Sequence, residues 1–169
     1  QLCIFTTSDV AAIKTTQLAG LTTSQVQALT TSQVQALTSA QVGALSTDQL
    51  KALTTTQVQS LTSTEIASIK TGQLSGLTTS QLVALTSNQV QALTSLQIGN
   101  LSTDQVKALT TDQVQVLTSA QVGGLTTTQL GAMTTSQVSN LTTSDVAAIK
   151  TTQLAGLTTS QVQALTTSQ

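Results

Sequence analysis

The sequence has no His, Pro, Trp or Tyr, and only one Cys, one Met and one Phe. All five basic residues are Lys (Lys14, Lys51, Lys70, Lys107 and Lys150), so Arg is missing too. Each absence removes a class of function. Without His, clustered carboxylates or grouped Cys there is no general acid–base pair, no activated nucleophile and no transition-metal ligand set. The acids Asp9, Asp48, Glu65, Asp104, Asp112 and Asp145 are scattered along the chain. A glycine-rich phosphate loop and the Gly/Asp nonapeptide that binds calcium are also missing. With a pI near 4.9, no basic stripe and no stacking aromatics, nucleic acid is not an expected partner. No apolar run approaches membrane-spanning length. We therefore name no catalytic, cofactor-binding or metal-ligating residue, expect no cofactor, and read the chain as a non-enzyme.

Charge is scarce as well. Charged residues make up 7% of the chain, the net charge is −1 and the mean hydropathy is +0.20. Little self-repulsion keeps such chains apart, which favours self-association, longitudinal and lateral. Cys3 is a small residue at a variable position, and an unpaired thiol leaves an intermolecular bridge as the alternative. The chain opens on Gln1 and stops at Gln169 with no initiator Met or signal peptide, so a segment of a longer protein is expected, with any targeting signal outside it.

What the sequence does have is a period of eight. Leu21–Ala28 reads LTTSQVQA, the next eight residues repeat it, and the rest of the chain varies the octad without losing phase. Numbering slots from the leucine, slot one is Leu except at Phe5, Ile13, Ile69, Met133 and Ile149, and slot six is always Val, Leu or Ile. Slot three is always Ser or Thr, and slot five is Gln except at Asp9, Glu65 and Asp145. Residues 1–169 form one array without linker or domain boundary, Gln1–Phe5 being a divergent octad.

An octad cannot be part of one long helix. At about 100° per residue, eight residues advance the apolar stripe by about 80° per repeat, so no face stays buried. Coiled coils need periods of seven or eleven. A plain strand fails because slots one and six have opposite parity. Short helices explain more slots. With slot two as N-cap, slot five becomes the third helical residue and Thr-x-x-Gln is a capping box, while slots one and six form the hydrophobic staple. Helices so short are unstable alone, so they must stack, with slots one and six as a continuous core. The expected fold is all-α: a solenoid, or superhelix, of very short helices, one per octad, with a β-solenoid as the alternative. With three to four octads per coil and coils about 8–10 Å apart, the segment is a rod on the order of 50–70 Å long.

Finer patterns leave choices open. Ile13-Lys14 recurs at Ile69-Lys70, and the segment from Ser46 recurs from Ser102, an echo at 56 residues that seven octads in two coils would explain as well as gene duplication does. Thr6–Gln33 recurs identically as Thr142–Gln169. The slot-three hydroxyls either form a ladder along the rod or simply suit a first helical turn. Each acidic slot five is followed by a slot-two Lys (Asp9 and Lys14, Glu65 and Lys70, Asp145 and Lys150), while Asp48 and Lys51, and Asp104 and Lys107, share a helix face. Such pairs are expected to serve neutrality and register, being worth about 0–1 kcal/mol each when exposed. Asn100 and Asn140 match the N-glycosylation pattern, but any Asn in slot eight does so automatically.

The run LTTSQVQALTTSQVQALTSAQVGALSTDQ, residues 21–49, resembles octapeptide arrays in very large bacterial secreted or surface proteins of the adhesin kind. The resemblance implies an extracellular stalk, filament or matrix component, in a biofilm for instance. Functionally, a structural rod is expected. A Thr array binding ice or polysaccharide, and a functional amyloid-like fibre, are the alternatives. Partners other than the protein itself are not expected.

Overall fold

The computed structural model describes residues 5–169. Twenty short helices, from α1 (Thr7–Ala12) to α20 (Thr159–Ala164), follow one another with one helix per octad and no strand among the described residues. Each is four to six residues long. The fold is thus the all-α solenoid expected from the octad.

The start of every helix lies at slot two. At Thr30, for example, the hydroxyl accepts from Gln33 N (3.2 Å) and the Gln33 side-chain oxygen accepts from Thr30 N (2.8 Å). Two of the four backbone N–H groups left over at a helix N-terminus are thereby satisfied within one octad. At Lys14, Lys70 and Lys150 only the return half exists, because an ammonium offers no acceptor: Gln17, Gln73 and Gln153 still accept from the lysine N–H at 3.1, 2.8 and 2.6 Å. Helices end without glycine chemistry. No described residue has a positive φ, and the chain leaves each helix by extending at slots one and two. The last turn tightens as the slot-one N–H donates to the slot-six carbonyl, as Leu37 does to Val34 (3.1 Å).

Slots one and six form one core that runs the length of the rod. Val34, Val42, Ile66, Leu82, Val90 and Ile98 are fully buried, and the slot-one leucines beside them nearly so. Each helix packs on the helix three octads away throughout the chain. The side-chain bonds between coils span 28 to 31 residues, as Gln41 shows with Ile13 O at 28 and Val10 O at 31. A coil therefore takes between three and four octads, and the 28-residue offset corresponds to three and a half. Seven octads then complete two coils, so the 56-residue echo brings similar octads onto the same face two coils apart.

Where coils approach most closely, backbone meets backbone. A Cβ on Gly99 would lie 2.6 Å from the carbonyl oxygen of Gly124, and one on Gly124 would lie 2.6 Å from that of Ser95. No larger residue fits those positions without the coils moving apart.

Candidate functional site

No group of three or more His, Cys, Asp or Glu residues that could hold a metal exists among the described residues. Among the described residues no helix is long and apolar enough to cross a membrane. Chemistry repeats instead at the seam between coils, and its agent is the slot-five glutamine.

From Gln33 onward the slot-five glutamines are buried, except Gln73 and Gln169, which are half-buried: Gln41, Gln81, Gln121 and Gln161 are each 2% exposed. Their Oε1 completes the capping box of their own helix, while Nε2 reaches the coil before. Gln81 Nε2 donates to the carbonyls of Leu50 (2.9 Å), Lys51 (3.2 Å) and Leu53 (2.6 Å). Gln113 does the same to Leu82, Val83 and Leu85, all within 3.1 Å. The acceptors are the slot-six, slot-seven and slot-one carbonyls around a helix C-terminus, the groups a short helix leaves unpaired. One side chain thus closes the start of one helix and the end of another. Burial of an amide is tolerable only because its oxygen and both its hydrogens are used. The capping box was legible in sequence; the second duty of glutamine was not. Its signal was the near-exclusive use of Gln, since Glu serves a capping box equally well but has no hydrogen to donate.

The three acids in slot five test this reading. Asp9 is exposed, and its carboxylate accepts from Thr6 Oγ1 (2.7 Å) and Thr6 N (2.8 Å). Those bonds, the hydroxyl first and the backbone N–H second, hold its pKa below the usual carboxylate value. Glu65, 5% exposed, accepts from Thr62 N (2.7 Å) and makes no bond across the coil. Ser68 Oγ lies 2.6 Å from Glu65 O in its own helix and 2.9 Å from Ser39 O across the coil, so its single hydrogen is shared between an intrahelical and an inter-coil acceptor. Asp145, 2% exposed, accepts from Thr142 N (3.0 Å), Thr142 Oγ1 (2.6 Å) and, across the coil, Ser119 Oγ (3.1 Å).

The acid–lysine pairs seen in sequence do not close as ion pairs among the described residues. The slot-five acids turn to their own N-caps, because the capping N–H groups lie three residues away and the lysine begins the next helix. The slot-three hydroxyls do not form a continuous ladder either. Only Ser119, to Asp145, and Thr127, to Thr152 O (3.4 Å), reach a neighbouring coil, while slots two to four mostly face solvent. Asn100 and Asn140 spend their side-chain amides on helix ends, donating to Leu96 O and Ser136 O at 2.8 Å. Cys3 and the start of the divergent first octad lie outside the described residues.

A family model described as the ALTTAQ repeat matches residues 5–39, 34–63, 66–103, 95–119, 115–143 and 141–169, which together span nearly all of the chain. Curated proteins gave no match.

Proposed function

Because the chain belongs to the ALTTAQ repeat family, a tandem-repeat family by description, we propose that it is a non-enzymatic structural element: an extracellular rod, stalk or filament of the bacterial surface, adhesin-like in setting and suited to a biofilm matrix. The observation that carries this reading is the glutamine seam, which repeats inter-coil bonds from Gln33 to Gln161, interrupted at Glu65 and Asp145, and spends the regularly buried polar side chain of the described residues on holding the rod together. A rod built this way grows by adding octads, each contacting only the coils next to it. Its partner is itself, longitudinally and by lateral packing of a surface with few charges.

The exposed hydroxyls of slots two to four belong to octads that turn with the coil, so they ring the rod instead of lying on one flat face. That favours a structural role over an ice- or polysaccharide-binding array, and twenty helices without a strand among the described residues count against an amyloid-like fibre.

Small-angle scattering on the 169-residue chain across a concentration series, with negative-stain imaging at the upper end, tests the proposal. A rod-like distance distribution at low concentration with end-to-end or side-by-side assemblies at high concentration is expected. A compact globular profile, or a rod that stays monomeric to millimolar concentration, would sink the filament reading. Surface labelling of intact cells carrying the gene tests the extracellular placement, and protection of the repeat from a membrane-impermeant label refutes it.

A further inference from the structure

Two helices, α6 (Thr47–Ala52) and α13 (Thr103–Ala108), carry the same charges on the same side of the rod, two coils apart. The bonds between coils trace their alignment. Gln81, on α10 (Thr79–Val83), donates to the Leu50, Lys51 and Leu53 carbonyls at the end of α6. Gln105, on α13, donates to those of Leu74, Ser75 and Leu77 at the end of α9 (Thr71–Leu74). The joint between α9 and α10 therefore lies over α6, and α13 lies over that joint. Gly76, in the joint, shows how closely they stack, since a Cβ there would overlap the Thr47 methyl.

On this side Asp48, Lys51, Asp104 and Lys107 are all exposed, and each Asp stands three residues before its Lys, on one helix face with it. Neither pair closes as an ion pair within its own helix. Between the two charged rows the joint contributes Ser75, Gly76 and Thr79, with no long side chain to hold a neighbour off.

Every coil winds the same way, so Asp precedes Lys in both rows when read round the rod. Two copies laid face to face about a twofold axis parallel to the rods keep their rows level and exchange left for right. Asp48 then meets the partner's Lys51 and Asp104 the partner's Lys107, and each contact is made twice. An antiparallel pair, with its twofold axis across the rods, sets Asp against Asp and Lys against Lys. Opposite charges at matched spacing fix partner orientation and register more than they add affinity. The other charges that recur at 56 residues build no such face, because the acids beside Lys14 and Lys70 are turned to their own N-caps: Asp9 to Thr6, and the buried Glu65 to Thr62.

We propose that the face shared by α6 and α13 docks a second copy of this chain, laid parallel and in register. This pairing rests on the lateral self-association proposed above and gives it a face and a direction.

Sedimentation of the full 169-residue chain over a concentration series, with rods imaged at the upper end, tests it. Side-by-side pairs are expected, with an association constant that falls about tenfold or more as salt rises from about 0.02 M to about 0.5 M. The double variants D48K/D104K and K51D/K107D change exposed side chains alone. Each by itself should pair about tenfold or more weakly than the unmodified chain, and a one-to-one mixture of the two should restore pairing. Unchanged pairing by either variant alone would overturn the proposal and move lateral association to another face, leaving the structural reading of the rod intact. An unmodified chain that forms no side-by-side pairs up to millimolar concentration would overturn the proposal together with the lateral part of that reading. Direction is read from a spin label at S24C in a C3S background, since Ser24 is exposed on α3 (Thr23–Gln27), which packs against α6. One short distance between the labels of paired copies is expected, and its absence in paired rods would overturn the parallel arrangement.

Discussion

Gln57 and Glu65 occupy the same slot in neighbouring octads, and they part company at the coil boundary. Both close their capping box at the same distance: each side-chain oxygen accepts the N-cap N–H at 2.7 Å, from Thr54 and Thr62 respectively. Gln57 then donates to Gln27 O (3.1 Å) and Leu29 O (2.6 Å) in the coil before, while Glu65 donates nothing. Helix initiation tolerates either side chain; coil stacking asks for a hydrogen that only the amide carries. The two demands are separable, and the three acids show that the chain meets the first everywhere and the second almost everywhere.

Core substitutions should be blind to this difference. Ile66→Ala, beside Glu65, and Leu82→Ala, beside Gln81, should each cost about 2–5 kcal/mol in urea unfolding, the usual range for emptying a packed site. A much milder loss at Ile66 would mean that the acid junction is loosely packed and that more than one hydrogen bond distinguishes the two. Converting an amide junction into an acid one comes next. Gln57→Glu should destabilise by about 1–3 kcal/mol, because it leaves the Leu29 carbonyl unpaired and faces it with a carboxyl group. The reverse change, Glu65→Gln, should stabilise by about 1 kcal/mol, and hydrogen exchange should slow in α8 (Ser63–Ser68). A null result there would show that the Ser68–Ser39 bond already replaces the amide. Lys70→Thr restores the missing half of a capping box and should add about 0.5–1 kcal/mol by the same unfolding measurement.

The smallest effect is local and concerns pH. The folded-state pKa of Asp9 lies below the ordinary carboxylate value, so its contribution to α1 is present above the unfolded pKa and is lost as pH falls through the folded one. An NMR titration should place the Asp9 midpoint below the ordinary carboxylate value, and Thr6→Val, which removes the hydroxyl bond, should move it back up.

Much of this was legible in the octad. Thr22 and Gln25 announce an N-cap and its box by spacing alone, Leu21 and Val26 announce the staple, and sixteen further octads begin with a complete box of the same kind. Helix starts are local, so a local pattern reveals them. The seam was hidden because its partners lie 28 to 31 residues apart, a distance set by how many octads close a coil. The eight-residue period does not contain that number. The 56-residue echo did contain it, although duplication of the gene accounted for the echo equally well. For the acid–lysine pairs the reverse holds: Glu65 and Lys70 look coupled on paper, yet the cap N–H of Thr62 is the nearer partner.

The half-octad offset has a mechanical meaning. Courses of brick laid in running bond place each vertical joint over the middle of the brick below, so a crack cannot travel straight down the wall. With three and a half octads to a coil, a helix in one coil starts over the joint between two helices of the last, and Gln41 holds the helix end at that joint through Val10 O and Ile13 O. Tension along the axis is therefore shared by neighbouring octads at every level, and no straight line of weak links runs from one end of the rod to the other.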